Sequence, residues 1–594
     1  MPSRWITLAL AALASTPAMS QQAADAVTTE GAAAGVVEGL SAEAAAAVEA
    51  KEAGEPVTSD TWMVAAANPL AVEAGAEVLR NGGTAADAMV AVQTVLGLVE
   101  PQSSGLGGGA FLVWYDAASG EITTLDGRET APLAATPRYF QDETGEPLDF
   151  WEAVVGGRSV GTPGTPALME AAHDRWGTQD WASLFERAIT LAEDGFTVSP
   201  RLATLVADEP EDRLPRFEAT AAYFYPDGSP IEAGDTLTNQ DYADVLRAIA
   251  QRGSGAFYDG PIAEAIVEVV QANGGLLAMP DFATYEVVER APVCVDYRET
   301  RVCGMGPPSS GALTVGQILG MLDAFDLAGM GPDSPEAWTL IGDASRLAFA
   351  DRGRYMADSD FVPMPTEGLV DAAYLDLRAE LLDPSRSLEE VAPGEPQWDH
   401  AMLWGDDASL ELPSTSHISI VDAEGNALSM TTTIENGFGS RLFVRGFLLN
   451  NELTDFSFTT HDNGWPIANR VEPGKRPRSS MAPTIVMQDD QPLLVIGSPG
   501  GSRIIGYVVQ GIINYVDWGM DPQQAVSAPH LVNRFGTFDI EAGTAALELD
   551  GPLQEAGFET SIQDLTSGLH VIALENGMLV GGADPRREGI ALGD

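Results

Sequence analysis

"PSTSHISIVDAEGNALSMTTTIENGFGSR", residues 413–441, is the stretch on which the reading of this chain turns. Residues 417–421 and 427–434 read as strands, and the Asp-Ala-Glu-Gly-Asn run between them supplies turn chemistry. Just ahead of the first strand stands a small polar cluster, Ser414-Thr415-Ser416. At a strand edge such a cluster ordinarily makes local hydrogen bonds. The chemical alternative needs more. A threonine hydroxyl inside a chain is a poor nucleophile because no base accompanies it. A threonine at a new N-terminus acquires a base. Its α-amine titrates at about 7.7–8.0 and is tethered to the hydroxyl it must deprotonate. The β-methyl also restricts χ1 and so aims the oxygen.

The rest of the chain sets bounds around that cluster. At 594 residues it is too long for one simple core by the usual roughly 100–200 residues per domain. Its 45% hydrophobic content is globular. With 31 basic against 87 acidic residues, the net charge of −56 argues against nucleic-acid or anionic-membrane partners. An anionic substrate would be repelled at long range, so a site for one needs a concentrated local cation. Residues 1–20 carry Arg4, an apolar run and Ala18-Met19-Ser20, the pattern of a secretory signal, so export to the periplasm or medium is expected. That run is too short to span a bilayer. In an oxidising compartment, Cys294 and Cys303, flanking two extended halves around a turn, read either as a hairpin disulfide or as two buried thiols.

Residues 21–56 are an Ala/Glu-rich low-complexity spacer, within which "SAEAAAAVEAKEAG" (41–54) reads as a solvated helix or plain spacer. Asn68-Pro69 opens a helix that stops at Gly82-Gly83, and Thr84 with Asp87 forms a capping-box signature for a second, largely apolar helix. Helical patterns recur at 166–176, 238–252, 261–273, 335–349 and 503–517; strand patterns follow residue 414 at 417–421, 427–434, 442–449, 483–488 and 493–497. Residues 393–414 are irregular and acidic, as in a mobile linker. Strands in both halves with helices on either side predict a layered α+β sandwich.

Other motifs carry less. Gly157-Arg158-Ser159-Val160-Gly161 matches the nucleophile-elbow spacing, but Pro163 and Gly164 keep a helix from following directly, so it reads as a turn. Gly105–Gly109 lacks the Gly-Lys-Ser/Thr of a phosphate loop and reads as a place of close chain approach. Six histidines, at 173, 400, 417, 461, 530 and 570, show no metal-ligand spacing, and no metal is expected.

The opening stretch resembles the start of the small subunit in the γ-glutamyltransferase (glutathione hydrolase) family of N-terminal nucleophile hydrolases. "LLNNELTDF" (448–456), "GKRPRSSMAPTI" (474–485) and "GSPGGSRI" (497–504) follow in the family's order. Upstream, "GTAADAMVAVQ", "EPQSSGLGGGAFLVW", "LDGRETAP", "GTPGTP", "GPPSSGALTVGQILGML" and "SRLAFADRGRYMAD" match its large subunit, so the resemblance runs from about residue 60 to 594.

The resemblance implies a four-layer αββα sandwich and a precursor that cleaves itself between Ser414 and Thr415. Residues 57–414 would belong to the large subunit and 415–594 to the small one, the two remaining together as a heterodimer. Thr415 would be the nucleophile, Thr433 the hydroxyl bonded to it, and Gly500 and Gly501 the oxyanion-hole donors. Arg128, Ser479 and Ser480 would hold the substrate α-carboxylate, and Glu435, Glu452 and Asp455 its ammonium. Some family members carry asparagine at the position of Glu435. The expected reaction cleaves the γ-glutamyl amide of glutathione or a related compound and passes the glutamyl group to water, an amino acid or a peptide. No cofactor is required. Two alternatives remain: an acylase of the same fold acting on glutaryl side chains of cephalosporins, and an exported non-enzymatic binding protein.

Overall fold

A computed structural model describes residues 39–400 and 402–594. The expected signal at 1–20 and the first part of the spacer, 21–38, lie outside the described residues. The strands that matter for the site are, in chain order, β1 (Val57–Ser59), β2 (Met63–Ala66), β3 (Gly109–Tyr115), β4 (Ile122–Gly127), β5 (Val288–Arg290), β6 (Val293–Tyr297) and β7 (Thr300–Gly304). After the linker come β8 (Ser416–Val421), β9 (Ala427–Thr433), β10 (Thr484–Gln488), β11 (Gln491–Gly497), β12 (His570–Glu575), β13 (Met578–Ala583) and β14 (Ile590–Gly593). They form two seven-stranded antiparallel sheets, ordered β14-β2-β8-β9-β3-β4-β5 and β1-β13-β12-β11-β10-β7-β6.

Two-residue periodicity builds the layers. In β2, Val64 and Ala66 face one hydrophobic cluster while Met63 and Ala65 face another; in β3, Leu112 and Trp114 divide from Phe111, Val113 and Tyr115 in the same way. The first cluster lies between the first sheet and a helical layer that includes α1 (Ala42–Ala53), α2 (Pro69–Arg80), α3 (Ala85–Val99) and α4 (Thr165–Trp176). The second fills the space between the sheets and reaches through to α5 (Gly311–Leu322), α6 (Pro335–Tyr355) and α7 (Ile504–Val516). Helix, sheet, sheet, helix is the expected αββα sandwich. Every residue of β8 and β9 is buried, as a strand pair covered on both faces requires. Truncating one of them, for instance Ile420→Ala, is expected to cost roughly 2–5 kcal/mol.

The local signals hold closely. Asn68 caps α2 by accepting from the Leu70 N–H, and Thr84 and Asp87 form the reciprocal capping box of α3. Cys294 and Cys303 sit directly opposite one another in the β6–β7 pair and are joined as a disulfide.

Two expectations change. Residues 42–53 are a helix, but a docked one rather than a solvated one: the small side chains of Ala44 and Ala47, one turn apart, let α1 lie close against the core, and Lys51 donates to the carbonyls of Arg587 (2.9 Å) and Gly589 (2.7 Å). Residues 442–449 form a short hairpin, Phe443–Val444 with Phe447–Leu448, instead of one strand. Arg445 and Gly446 both take positive φ (49° and 86°), which turns the chain back on itself.

Candidate active site

The β8–β9 register places the chemistry. Ser416 pairs with Thr432, so the next position outward brings Thr415 opposite Thr433 at the open end of the hairpin. Their hydroxyl oxygens are hydrogen-bonded at 3.0 Å. Thr433 Oγ1 also accepts from the Glu435 N–H at 2.8 Å, which leaves its own proton free to be donated to Thr415. Thr415 has φ 89°, a conformation that a β-branched residue adopts only at a cost of about 1–3 kcal/mol. That strained torsion immediately follows the peptide bond between Ser414 and Thr415.

The loop after β11 closes over the same bond. Gly500 donates its N–H to the carbonyl oxygen of Ser414 at 3.1 Å. Gly500 and Gly501 have φ 134° and 59°, and a Cβ on Gly501 would stand 2.7 Å from the Leu412 carbonyl oxygen. Glycine is therefore required for the approach as well as for the backbone shape. The following turn leads into α7. A polarised carbonyl next to a hydrogen-bonded hydroxyl is an arrangement for acyl transfer.

The charged residues gather around it. Arg128, just past the end of β4, is buried; it donates Nη1 to Glu452, Nη2 to Asp455 and to the Arg478 carbonyl (2.9 Å), and Nε to the Pro477 carbonyl (3.3 Å). Glu452 and Asp455 share one turn of 3₁₀ helix, whose three-residue period puts both on one face. Glu435 accepts from the Leu412 N–H at 3.1 Å and from the Asn451 side-chain amide. Burial, and then the nearby Glu452, push the Glu435 carboxyl up to about 8. Burial likewise raises Glu452 and takes Asp455 well above the usual carboxylate range, against the pull of Arg128 in both cases.

Ser479 is held by its neighbours, its Oγ accepting from the Met481 N–H at 3.1 Å. The Ser480 hydroxyl donates to Glu411 and accepts from Arg352 at 2.8 Å. All ten residues that the sequence nominates for catalysis and binding are brought together; nine of them, Arg128, Thr415, Thr433, Glu435, Glu452, Asp455, Ser479, Ser480 and Gly501, line one cavity with Glu411 and Leu412, and Gly500 is bonded to the Ser414 carbonyl at its edge.

Two features of the arrangement go beyond the expectation. Arg128 is paired with Glu452 and Asp455, so the charges expected to meet a donor are already joined in one cluster. The end of residues 393–414 is not loose. The segment has no helix or strand among its described residues, yet Glu411, Leu412 and Ser414 are buried and Asp407 accepts from Asn469 at 3.0 Å.

Residues missed by sequence reasoning include Glu411, Arg352 and Glu129. Glu411 lies four residues ahead of Thr415 in a run that reads only as acidic, and Arg352 lies inside "SRLAFADRGRYMAD", whose periodicity signals only helix. Glu129 follows Arg128, and burial and then Glu452 raise its carboxyl well above the usual range.

The discarded motifs find structural uses. Ser159 Oγ donates to the Val154 carbonyl at 2.6 Å, fully buried, with no nucleophilic role to play. A Cβ on Gly108 would overlap the Thr433 carbonyl, so the glycine run lets its loop pass directly beneath the site. His417 is buried between Thr431 (2.9 Å) and Ser419 (3.0 Å), and desolvation keeps it neutral.

Comparison with known proteins agrees with this geometry. The sequence pattern of the gamma-glutamyltranspeptidase family matches residues 71–594. The chain is 38% identical over 543 residues to the glutathione hydrolase proenzyme of Bacillus subtilis (strain 168), covering 89% of this chain and 91% of that protein. Its fold resembles the crystal structure of a cephalosporin acylase from Bacillus halodurans, with TM-score 0.81, 26% identity, and coverage of 91% of this chain and 97% of that one. The gamma-glutamyltranspeptidase of Helicobacter pylori matches with TM-score 0.54 and 35% identity over 56% of this chain and 96% of that chain. Motif order, sandwich architecture and the hydroxyl pair facing a glycine-held carbonyl all agree with this result: the chain belongs to the gamma-glutamyltranspeptidase family.

Proposed function

We propose that this protein is made as an inactive precursor, cuts itself between Ser414 and Thr415, and then works as a γ-glutamyltransferase and glutathione hydrolase with Thr415 as nucleophile. The observation that carries the reading is the contact set at one peptide bond: the Thr415 hydroxyl held by Thr433 at 3.0 Å, and the Ser414 carbonyl held by Gly500 at 3.1 Å. Attack of Thr415 Oγ on that carbonyl moves the acyl group from nitrogen to oxygen and frees the α-amine. Water then hydrolyses the ester, leaving Ser414 as a carboxylate and Thr415 as a free N-terminus.

In the processed enzyme the α-amine takes the hydroxyl proton as Thr415 attacks the γ-carbonyl of the donor. The oxyanion forms where the Ser414 carbonyl oxygen stood, on the N–H groups of Gly500 and Gly501. The leaving amine takes the proton, and a γ-glutamyl ester remains on Thr415. Water releases glutamate; an amino acid or peptide amine takes the glutamyl group instead. The donor carries an α-ammonium, and Glu435, Glu452 and Asp455 supply the carboxylates that suit it. Residues 1–20 would direct export, so the donor is met outside the cytoplasm.

Denaturing electrophoresis with N-terminal sequencing is the test of processing: two fragments are expected, the smaller beginning at Thr415. An active chain uncut at that bond would overturn the mechanism. A second reading, glutaryl acylase activity, draws support from the fold match to the cephalosporin acylase. Hydrolysis of a γ-glutamyl anilide in preference to its glutaryl analogue is expected; the reverse preference would replace the substrate class.

A further inference from the structure

The segment ahead of the cut threads through the cavity with its polar groups in a definite order. Ser414 presents its carbonyl to Gly500, Leu412 presents an N–H to Glu435, and Glu411 presents a carboxylate to Ser480 and Arg352. An acyl carbon, an N–H donor and a carboxylate are also the three groups by which a γ-glutamyl donor is recognised. Arg352 approaches from the end of α6. It is buried, braced by an Nε–H bond to Ser310 at 2.7 Å, and it shares Glu411 with Ser480, to which it donates at 2.8 Å. Arg478 lies beside it, donating to the Arg352 carbonyl at 3.3 Å and paired with Asp407 at 3.0 Å. Burial disfavours a charged Glu411, yet Arg352 and Arg478 hold its carboxyl below the usual range.

Among the described residues, the acids paired with Arg352 and Arg478 are Glu411 and Asp407, and both lie upstream of the scissile bond. Arg128 differs, since its charge is already balanced by two acids that remain after cleavage. Withdrawal of Glu411 therefore leaves a buried guanidinium next to Ser480 without that carboxylate. A buried cation with its partner removed is costly, and a substrate carboxylate restores the pairing.

We propose that Glu411 is an internal stand-in for the donor's α-carboxylate, and that Arg352, unmasked when the cut segment leaves, binds that carboxylate together with Ser480 in the processed enzyme. This rests on the γ-glutamyl reading above. It adds a substrate-binding cation to Arg128, and it makes the precursor self-blocked as well as lacking its free amine.

The test uses the full-length processed protein and two anilides: the γ-glutamyl compound and 4-aminobutyryl anilide, which lacks the α-carboxylate. Because Arg352→Gln alone strands Glu411 during folding, the double variant Arg352→Gln/Glu411→Gln is made beside it. Both are expected to raise KM for the γ-glutamyl anilide roughly tenfold or more, with a much smaller change for the 4-aminobutyryl compound. Arg352→Lys, which keeps the charge but loses the fork, is expected to fall between. Equal losses on the two anilides, or an unchanged KM for the γ-glutamyl compound, would overturn the role of Arg352 while leaving the enzyme's activity class in place. Failure of the unaltered protein to cleave the γ-glutamyl compound would instead sink the functional reading, and this inference with it.

Discussion

Two buried arginines, Arg128 and Arg352, are neutralised in different ways. Arg128 is paired with Glu452 and Asp455, which belong to the same side of the cut as Thr415 and stay in place on a turn of 3₁₀ helix. Arg352 is paired with Glu411, which lies upstream of the proposed cut. The first cluster is a permanent part of the wall. The second would lose its acid on the proposed cut. A buried ion pair is weak evidence of stability by itself, but breaking one by removing a single partner is expensive. The proposed cleavage would perform such a removal at one cluster and leave the other intact.

The sharpest way to hold that difference still is Thr415→Ala. The variant is expected to remain one chain on a denaturing gel and to lose at least about 10⁴-fold in γ-glutamyl hydrolysis, because nucleophile and amine disappear together. In that uncut background Glu411 stays on Arg352. There, Arg128→Met and Arg352→Met should each destabilise the chain by about 3–5 kcal/mol in denaturant unfolding, since each strands buried carboxylates. In the processed protein the comparison should split: Arg128→Met remains costly, whereas Arg352→Met costs about 1 kcal/mol or less. Similar costs in both backgrounds would show that Glu411 never leaves.

A smaller effect is expected at Glu435. Its folded carboxyl titrates at about 8, against an ordinary 4.5, so the folded chain holds a proton that the unfolded chain releases. The stability associated with that proton is fully present below about 4.5 and is lost as pH rises through about 8. Glu435→Gln in the uncut chain should flatten the decline in Tm between those limits by roughly 2 °C. A steeper decline in the variant would mean that Glu435 is ionised in the folded precursor.

Much of this was legible in the sequence, for physical reasons. Caps such as Asn68 and Thr84, and runs that alternate as in β2 and β3, are local instructions, and local instructions survive translation into structure. The partnership of Thr415 with Thr433 is implied by the family resemblance alone, and the hairpin register that produces it is seen only in the structure. The misses are long-range. Glu411 meets Ser480 across 69 residues and Arg352 across 59, and neither separation leaves a periodic trace. Arg128 was identified as a site residue, but its pairing with Glu452 and Asp455 depends on how three distant segments converge. The docking of α1 was hidden by composition: alanines that suggest a featureless spacer are also the side chains that allow the closest approach.

The order of strands in the first sheet carries a consequence for assembly. Strand β2, from the N-terminal part, lies between β14 and β8, both from the C-terminal part, and β3 to β5 extend the far edge. In the second sheet β1 flanks four C-terminal strands on one side and β7 and β6 flank them on the other. The two pieces are thus woven through both sheets, and pulling them apart would tear backbone ladders in each. Synthesised separately, either piece would expose open strand edges prone to aggregation. Weaving must finish while the thread is whole, which is a structural reason for the scissors to be built into the finished cloth.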